Sequence, residues 1–171
     1  VRAAITPKTK MLVLNNPSNI PGKVWTRAEL ESLCALAVEK NLIVVSDEVY
    51  EWIVYDEAMK NGGEGHIRTA TLPGMWERTI TIGSAGKAFS VTGYKVGWLI
   101  ADSPLVEVLQ RVHTHACFSV NTPAQEAIAI SLEQAAERNY FANLRKMFSE
   151  KREQLLDVLR NAGLKPIVPQ G

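Results

Sequence analysis

The strongest constraint on this chain is a set of short apolar strings at strand length. They read M-L-V-L at 11–14, L-I-V-V at 42–45 and T-I-T-I at 79–82. Such strings are too short for an amphipathic helix period and are rich in residues that suit a pleated sheet. Between the first two, Thr26 is followed three residues later by Glu29, a reciprocal helix-capping pattern. Leu30, Leu33, Ala37 and Val38 then recur at helical spacing through about Glu39. Strand, helix and strand in that order predict an α/β sheet with parallel central strands. Ligands in such sheets sit just beyond the carboxyl ends of the strands.

The remaining segments fill in around this frame. Residues Asn15 to Gly22 predict a loop, and a weakly helical stretch is expected after Asp47. Asp56 to Pro73, with G-G-E-G at 62–65, predicts a surface loop. The small residues G-S-A-G at 83–86 close the third strand, and Tyr94–Ala101 predicts a fourth. Ser103–Pro104 marks one helix start, and T-P-A-Q at 122–125 marks another, with Thr122 as cap and Gln125 closing the box. An amphipathic stretch from Tyr140 ends near Gly163, a residue suited to the left-handed position past a helix.

Composition narrows the function classes. Hydrophobic residues at 46% and charged residues at 22% exclude a disordered tail, a collagenous repeat and a coiled-coil rod. The 19 basic and 18 acidic residues are interspersed, so nothing points to nucleic acid or a membrane surface as partner. No apolar run approaches the roughly 20 residues that cross a bilayer. Cys34 and Cys117 are too few for a disulfide framework and favour a reducing compartment. His113 and His115, two apart on a helix with Cys117 nearby, match no zinc spacing, so no metal is expected. The first residue is Val1 rather than Met, and the last, Gly171, falls where a strand could be starting; both suggest a piece of a larger domain.

The three strand ends collect the reactive side chains. Asn15, Asn16 and Asn19 follow the first strand, Asp47 and Tyr50 follow the second, and S-A-G-K at 84–87 followed by T-G-Y-K at 92–95 follows the third. An acid, a phenol, an amide, a hydroxyl and two lysines are the groups that pyridoxal phosphate requires. Its aldehyde takes a lysine amine, its pyridine nitrogen a carboxylate, its ring oxygen a hydrogen-bond partner, and its phosphate hydroxyls and a cation. Each residue also has a plainer reading: Asp47 as a helix cap, Tyr50 as packing, Ser84 as a turn residue, Lys95 as a solvated strand residue. A phosphate-binding P-loop at Gly86–Lys87 fails, because its first glycine would fall on Thr81 and Ala88 replaces the magnesium-binding hydroxyl.

S-A-G-K followed by G-Y-K-V-G-W at 93–98 resembles the cofactor-lysine segment of fold-type I aminotransferases. D-E-V-Y at 47–50 resembles their pyridine-binding element, and N-I-P-G-K at 19–23 resembles their N-P-x-G loop with the proline displaced by one. The strings P-G-M-W-E-R-T-I-T-I-G-S-A-G-K at 73–87 and G-L-K-P-I-V-P-Q-G at 163–171 resemble the kynurenine aminotransferases, also called cysteine-S-conjugate β-lyases.

The resemblance implies that Lys87 is the catalytic, Schiff-base lysine and moves the substrate α-proton. It implies that Asp47 pairs with the pyridinium nitrogen, that Tyr50 and Asn19 meet the ring oxygen, and that Ser84 and Lys95 hold the phosphate. It implies transamination of an aromatic or sulfur-containing amino acid with a 2-oxo acid, with β-elimination of cysteine S-conjugates as a further activity. Residues 1–137 would be part of a cofactor-binding large domain, and 138–171 an interdomain helix with the start of a small domain. The family works as homodimers, and the cytoplasm is the expected location, with the mitochondrion as the alternative. A second phosphate-binding turn, a ring-stacking aromatic and a carboxylate-clamping arginine would all lie outside residues 1–171, so this stretch alone is expected to be weakly active or inactive. The alternative from another class is a truncated product that binds a full-length subunit without catalysis.

Overall fold

The structure is a computed structural model that describes residues 1–56, 58 and 64–171. Four strands form one sheet in the order β1 (Met11–Asn15), β2 (Ile43–Asp47), β3 (Thr79–Ser84) and β4 (Gly97–Ile100). The first three are parallel, and β4 returns antiparallel beside β3. The parallel register aligns Asn15 with Asp47 and Asp47 with Ile82, so the carboxyl ends of all three strands reach one rim.

Helix α1 (Arg27–Glu39) links β1 to β2 and starts at the expected cap. The Thr26 backbone N–H donates to Glu29 Oε2 at 2.9 Å, and the Glu29 N–H donates to Thr26 Oγ1 at 3.3 Å. The helix buries Leu30, Cys34 and Ala37 against Leu14 and Val44 of the sheet, and Ile67, Leu72 and Met75 complete that cluster. On the opposite face of the sheet Val13 is 68% exposed and Leu99 48%.

Beyond the sheet, α2 (Ala85–Ala88) follows β3 directly. Helices α3 (Ser103–Ala116), α4 (Thr122–Ala135) and α5 (Tyr140–Asn161) follow β4. A second cluster joins Ala85, Val96 and Ile128, tying α4 to the segment that carries Lys87. The rings of Trp52 and Phe141 stack at 4.0 Å, and Phe89 packs on Tyr140 and Phe141, so the start of α5 rests on residues just past Tyr50 and Lys87. Gly163 adopts φ +79° just beyond α5, as its placement in the sequence predicts.

Several expected boundaries move, each for a backbone reason. The second strand runs from Ile43 to Asp47, because Ser46 and Asp47 continue the ladder with Leu14 and Asn15. Residues 48–55 form no helix. The chain turns instead through bonds from Glu51 N–H to the Glu48 carbonyl and from Ile53 N–H to the Tyr50 carbonyl. The fourth strand cannot start at Tyr94, because Thr92–Tyr94 is a 3-10 turn and Lys95 sits at φ 55°. Asn121, rather than Thr122, caps α4 by accepting from the Ala124 N–H at 2.9 Å, and Gln125 Nε2 donates to the Val120 carbonyl. The stretch from Asp56 to Pro73 is not a surface loop throughout: Ile67, Thr69 and Leu72 are core residues. Gly62 and Gly63 of that stretch lie outside the described residues.

Candidate active site

The rim is assembled from the strand ends outward. The Asn15 side chain donates through Nδ2 to the Asp47 carbonyl at 3.2 Å, while its Oδ1 accepts the Asn19 backbone N–H at 2.7 Å. One amide thus ties the end of β1 to β2 and also sets the start of the Asn19 turn. Asn19 Nδ2 in turn donates to the Tyr50 hydroxyl at 3.2 Å. The displaced proline of N-I-P-G does not prevent this meeting. The phenol oxygen accepts from Asn19, which leaves its own proton available to a ligand.

Asp47 is half-buried, and its Oδ1 lies 3.4 Å from the Val49 backbone N–H. Strand alternation directs it to the face opposite Ser46 and Glu48. Lys87 is half-buried in α2, and its Nζ lies 5.6 Å from the centroid of the Tyr50 ring, within cation–π range. Tyr50 is therefore the hub: it touches Asn19 from β1's loop and faces the lysine from β3's.

Ser84 and Lys95 are eleven apart in the chain but are brought close by the antiparallel return. Ser84 pairs with Gly97, and the Ala85 N–H donates to the Val96 carbonyl at 3.1 Å. Lys95 is exposed at the end of this return. Gly86 suits the crossing, since a Cβ there would stand a tight 3.0 Å from Thr92 Cα.

The donor set fits pyridoxal phosphate. Among the described residues Lys87, Lys95 and Asp47 form no ion pair. The Ser84 side chain makes no capping bond to α2. A half-buried amine and carboxylate on one rim, not paired with each other, have the charges that the imine carbon and the pyridinium nitrogen of that cofactor call for. A cavity of about 590 Å³ adjoins this rim, lined by Asn19, Ile20, Tyr50, Ile53, Phe148 and Ile167 among others.

Two features escaped the sequence reading. The first is a buried pair behind the rim, Glu48 and His66, with Nε2–Oε2 at 3.0 Å. The signal for Glu48 was its position next to Asp47, which strand alternation turns inward; His66 carried no signal. The second is the docking of residues 169–171 on the asparagine loop. The Gln170 N–H donates to the Gly22 carbonyl at 2.6 Å, and the Tyr55 N–H donates to the Gln170 carbonyl at 2.8 Å.

The family described as aminotransferase class I and II matches residues 1–171. A kynurenine–oxoglutarate transaminase of Dictyostelium discoideum is 52% identical over 171 residues, covering 99% of this chain and 38% of that protein. Kynurenine–oxoglutarate transaminase 1 of Homo sapiens is 43% identical, covering 97% and 39%. Among solved structures, an aromatic aminotransferase from Pyrococcus horikoshii superposes with a TM-score of 0.89 at 34% identity, covering 99% of this chain and 44% of that one. The aspartate aminotransferase of Thermus thermophilus with maleate gives 0.89 at 34% identity, covering 99% and 42%. The chain thus spans about two fifths of the length of the curated relatives it matches.

Proposed function

The chain belongs to the class I and II aminotransferases, and from that premise we propose that it carries the lysine side of a pyridoxal-phosphate site that transaminates kynurenine-type amino acids. Its fold is that of the fold-type I transferases, a mostly parallel sheet flanked by helices. The observation that carries the proposal is the convergence of Asn19, Tyr50 and Lys87 from three separate segments on one rim.

When bound, pyridoxal phosphate supplies an electron sink for negative charge at the substrate α-carbon. The chain's own groups do the rest. The Lys87 amine would hold the cofactor covalently when no substrate is present; once freed, it would carry the proton from the substrate α-carbon to the cofactor. The Asp47 carboxylate would accept from the pyridine N–H and keep that nitrogen protonated. The Tyr50 hydroxyl, already accepting from Asn19, would donate its own proton to the ring oxygen. Ser84 and Lys95 hold the phosphate, the hydroxyl by hydrogen bond and the ammonium by charge. Asn19 keeps a second amide proton for the ring oxygen or the substrate carboxylate.

The names of the relatives support a kynurenine-type donor and a 2-oxo acid acceptor. The apolar wall beside Tyr50 has the chemistry for an aromatic side chain. With a sulfur leaving group on the β-carbon, charge at the α-carbon expels the thiolate instead, which is the β-lyase reaction. Residues 1–137 serve as part of the cofactor-binding domain, with 138–171 leading out of it, and two such proteins pair as a homodimer. Residues 1–171 alone are weakly active or inactive.

The test is an absorbance titration with pyridoxal phosphate, on the protein that contains these residues and on its Lys87→Ala variant. The protein develops an imine band at about 360–430 nm, and the variant does not. A band that survives Lys87→Ala overturns the assignment.

A further inference from the structure

We infer that Glu48 and His66 are positioning residues for the cofactor rim, a buried clamp that fixes the turn on which Asp47 and Tyr50 stand. The inference rests on the reading of that rim as the pyridoxal-phosphate site. Glu48 occupies the turn between Asp47 and Tyr50, and its side chain is only 2% exposed. A carboxylate taken out of water is costly unless its oxygens are satisfied. Here they are. Oε1 accepts from Ser46 Oγ at 2.8 Å and from the Thr69 backbone N–H at 3.1 Å, and Oε2 accepts from His66 Nε2 at 3.0 Å. Ser46 Oγ and Thr69 Oγ1 lie 2.9 Å apart, extending the network.

The bonds have a direction. Every partner but Ser46 comes from the 66–69 segment, which packs on the core side of the sheet. The Glu48 backbone N–H meanwhile donates to the Ile82 carbonyl at 3.0 Å, locking the same residue to β3. A further bridge, Arg68 Nη2 to Glu51 Oε2 at 2.6 Å, pins the far side of the turn. Successive residues of an extended chain point to opposite faces, so a clamp on Glu48 from the core side holds Asp47 aimed at the ligand side. The turn bond from Ile53 N–H to the Tyr50 carbonyl fixes the backbone from which the phenol projects.

The imidazole is built for this one contact. A carboxylate only accepts, so Nε2 carries the proton. Among the described residues Nδ1 has no partner, although it is buried. Precise aim matters, because a catalytic group displaced by about 1 Å loses on the order of a hundredfold in effectiveness.

The test compares His66→Leu, which removes the donor, with His66→Gln, which keeps one, in the protein that contains these residues. Two readouts are taken on protein shown folded by circular dichroism: the dissociation constant for pyridoxal phosphate and the pH midpoint of the imine band. His66→Leu weakens cofactor binding by roughly tenfold, the size of one lost charge-assisted bond. It also moves the midpoint by about half a pH unit or more, whereas His66→Gln stays within about twofold of the parent in affinity. A purely structural pair would lower melting temperature and leave the midpoint alone. If folded His66→Leu keeps the parent's affinity and midpoint, the inference is overturned. Should His66→Leu not fold, Ser46→Ala removes another donor to the same carboxylate; it shifts both readouts in the same direction, and a parental result again overturns the inference. Lys87→Ala in parallel separates the two claims. A band that survives it defeats the site reading, whereas a band lost with Lys87 but insensitive to His66 defeats only the clamp.

Discussion

Gly22→Ala is the sharpest probe of how the asparagine loop is held. Gly22 sits at φ +75°, where an L side chain costs about 1–2 kcal/mol. A Cβ there would also stand 2.5 Å from Pro169 Cβ and 2.7 Å from the Gly171 carbonyl oxygen. Neither is the flexible end of a side chain, so residues 169–171 must move off. That breaks the bonds from Gln170 N–H and Gly171 N–H to the Gly22 carbonyl, at 2.6 and 3.1 Å. The bonds from Tyr55 N–H to the Gln170 carbonyl and from Val24 N–H to Gln170 Oε1 go with them. Part of this is recovered by solvation, so the docking of the tail weakens by about 2–3 kcal/mol. The assay is native-state hydrogen exchange, in which the Tyr55 amide loses protection by roughly 30- to 150-fold. Gly163→Ala is the control. It shares a positive φ of +79°, but nothing lies within 4 Å of its added Cβ, so it costs only the conformational part. If Gly22→Ala leaves Tyr55 protected and destabilises no more than Gly163→Ala, the docking argument is wrong.

Three further outcomes follow from the same structure. Burial pushes the Cys34 thiol up to about 11, so it stays protonated and shielded, whereas Cys117 is exposed. One thiol per chain reacts with an alkylating reagent at neutral pH and the second only after denaturation, counted by mass. The same raised value means that the contribution of Cys34 to stability is intact below the ordinary thiol range and is lost as pH rises through about 11. Thr26→Ala removes the α1 capping box and lowers stability by about 1 kcal/mol in urea denaturation, with an unchanged m-value.

Much of this was written in the sequence because it is local. The Thr26–Glu29 cap, the strand cores and the end of α5 depend on neighbours within a few residues, and all fall close to where the pattern puts them. Boundaries moved where backbone pairing outran side-chain pattern: polar Ser46 and Asp47 extend β2 because β1 is there to bond them. The residue types of the rim were legible from the strand-end rule and from the resemblance. The Asn19–Tyr50 bond, spanning 31 residues, and the Glu48–His66 pair, spanning 18, were not. Neither has any periodicity, and both depend on which loop happens to cross which turn. The stretch around Ile67 and Leu72 misled for a related reason. Its flanking glycines and prolines look like a surface loop, yet it supplies one wall of the core.

The central claim is that Lys87, and no other lysine, holds the cofactor. The direct measurement is to mix the protein with pyridoxal phosphate, reduce with borohydride, digest, and locate the fixed pyridoxyl group by mass spectrometry. The half-buried amine beside Tyr50 predicts a single labelled peptide carrying the group on Lys87. Label on Lys95, or spread over exposed lysines with Lys87 bare, would contradict it.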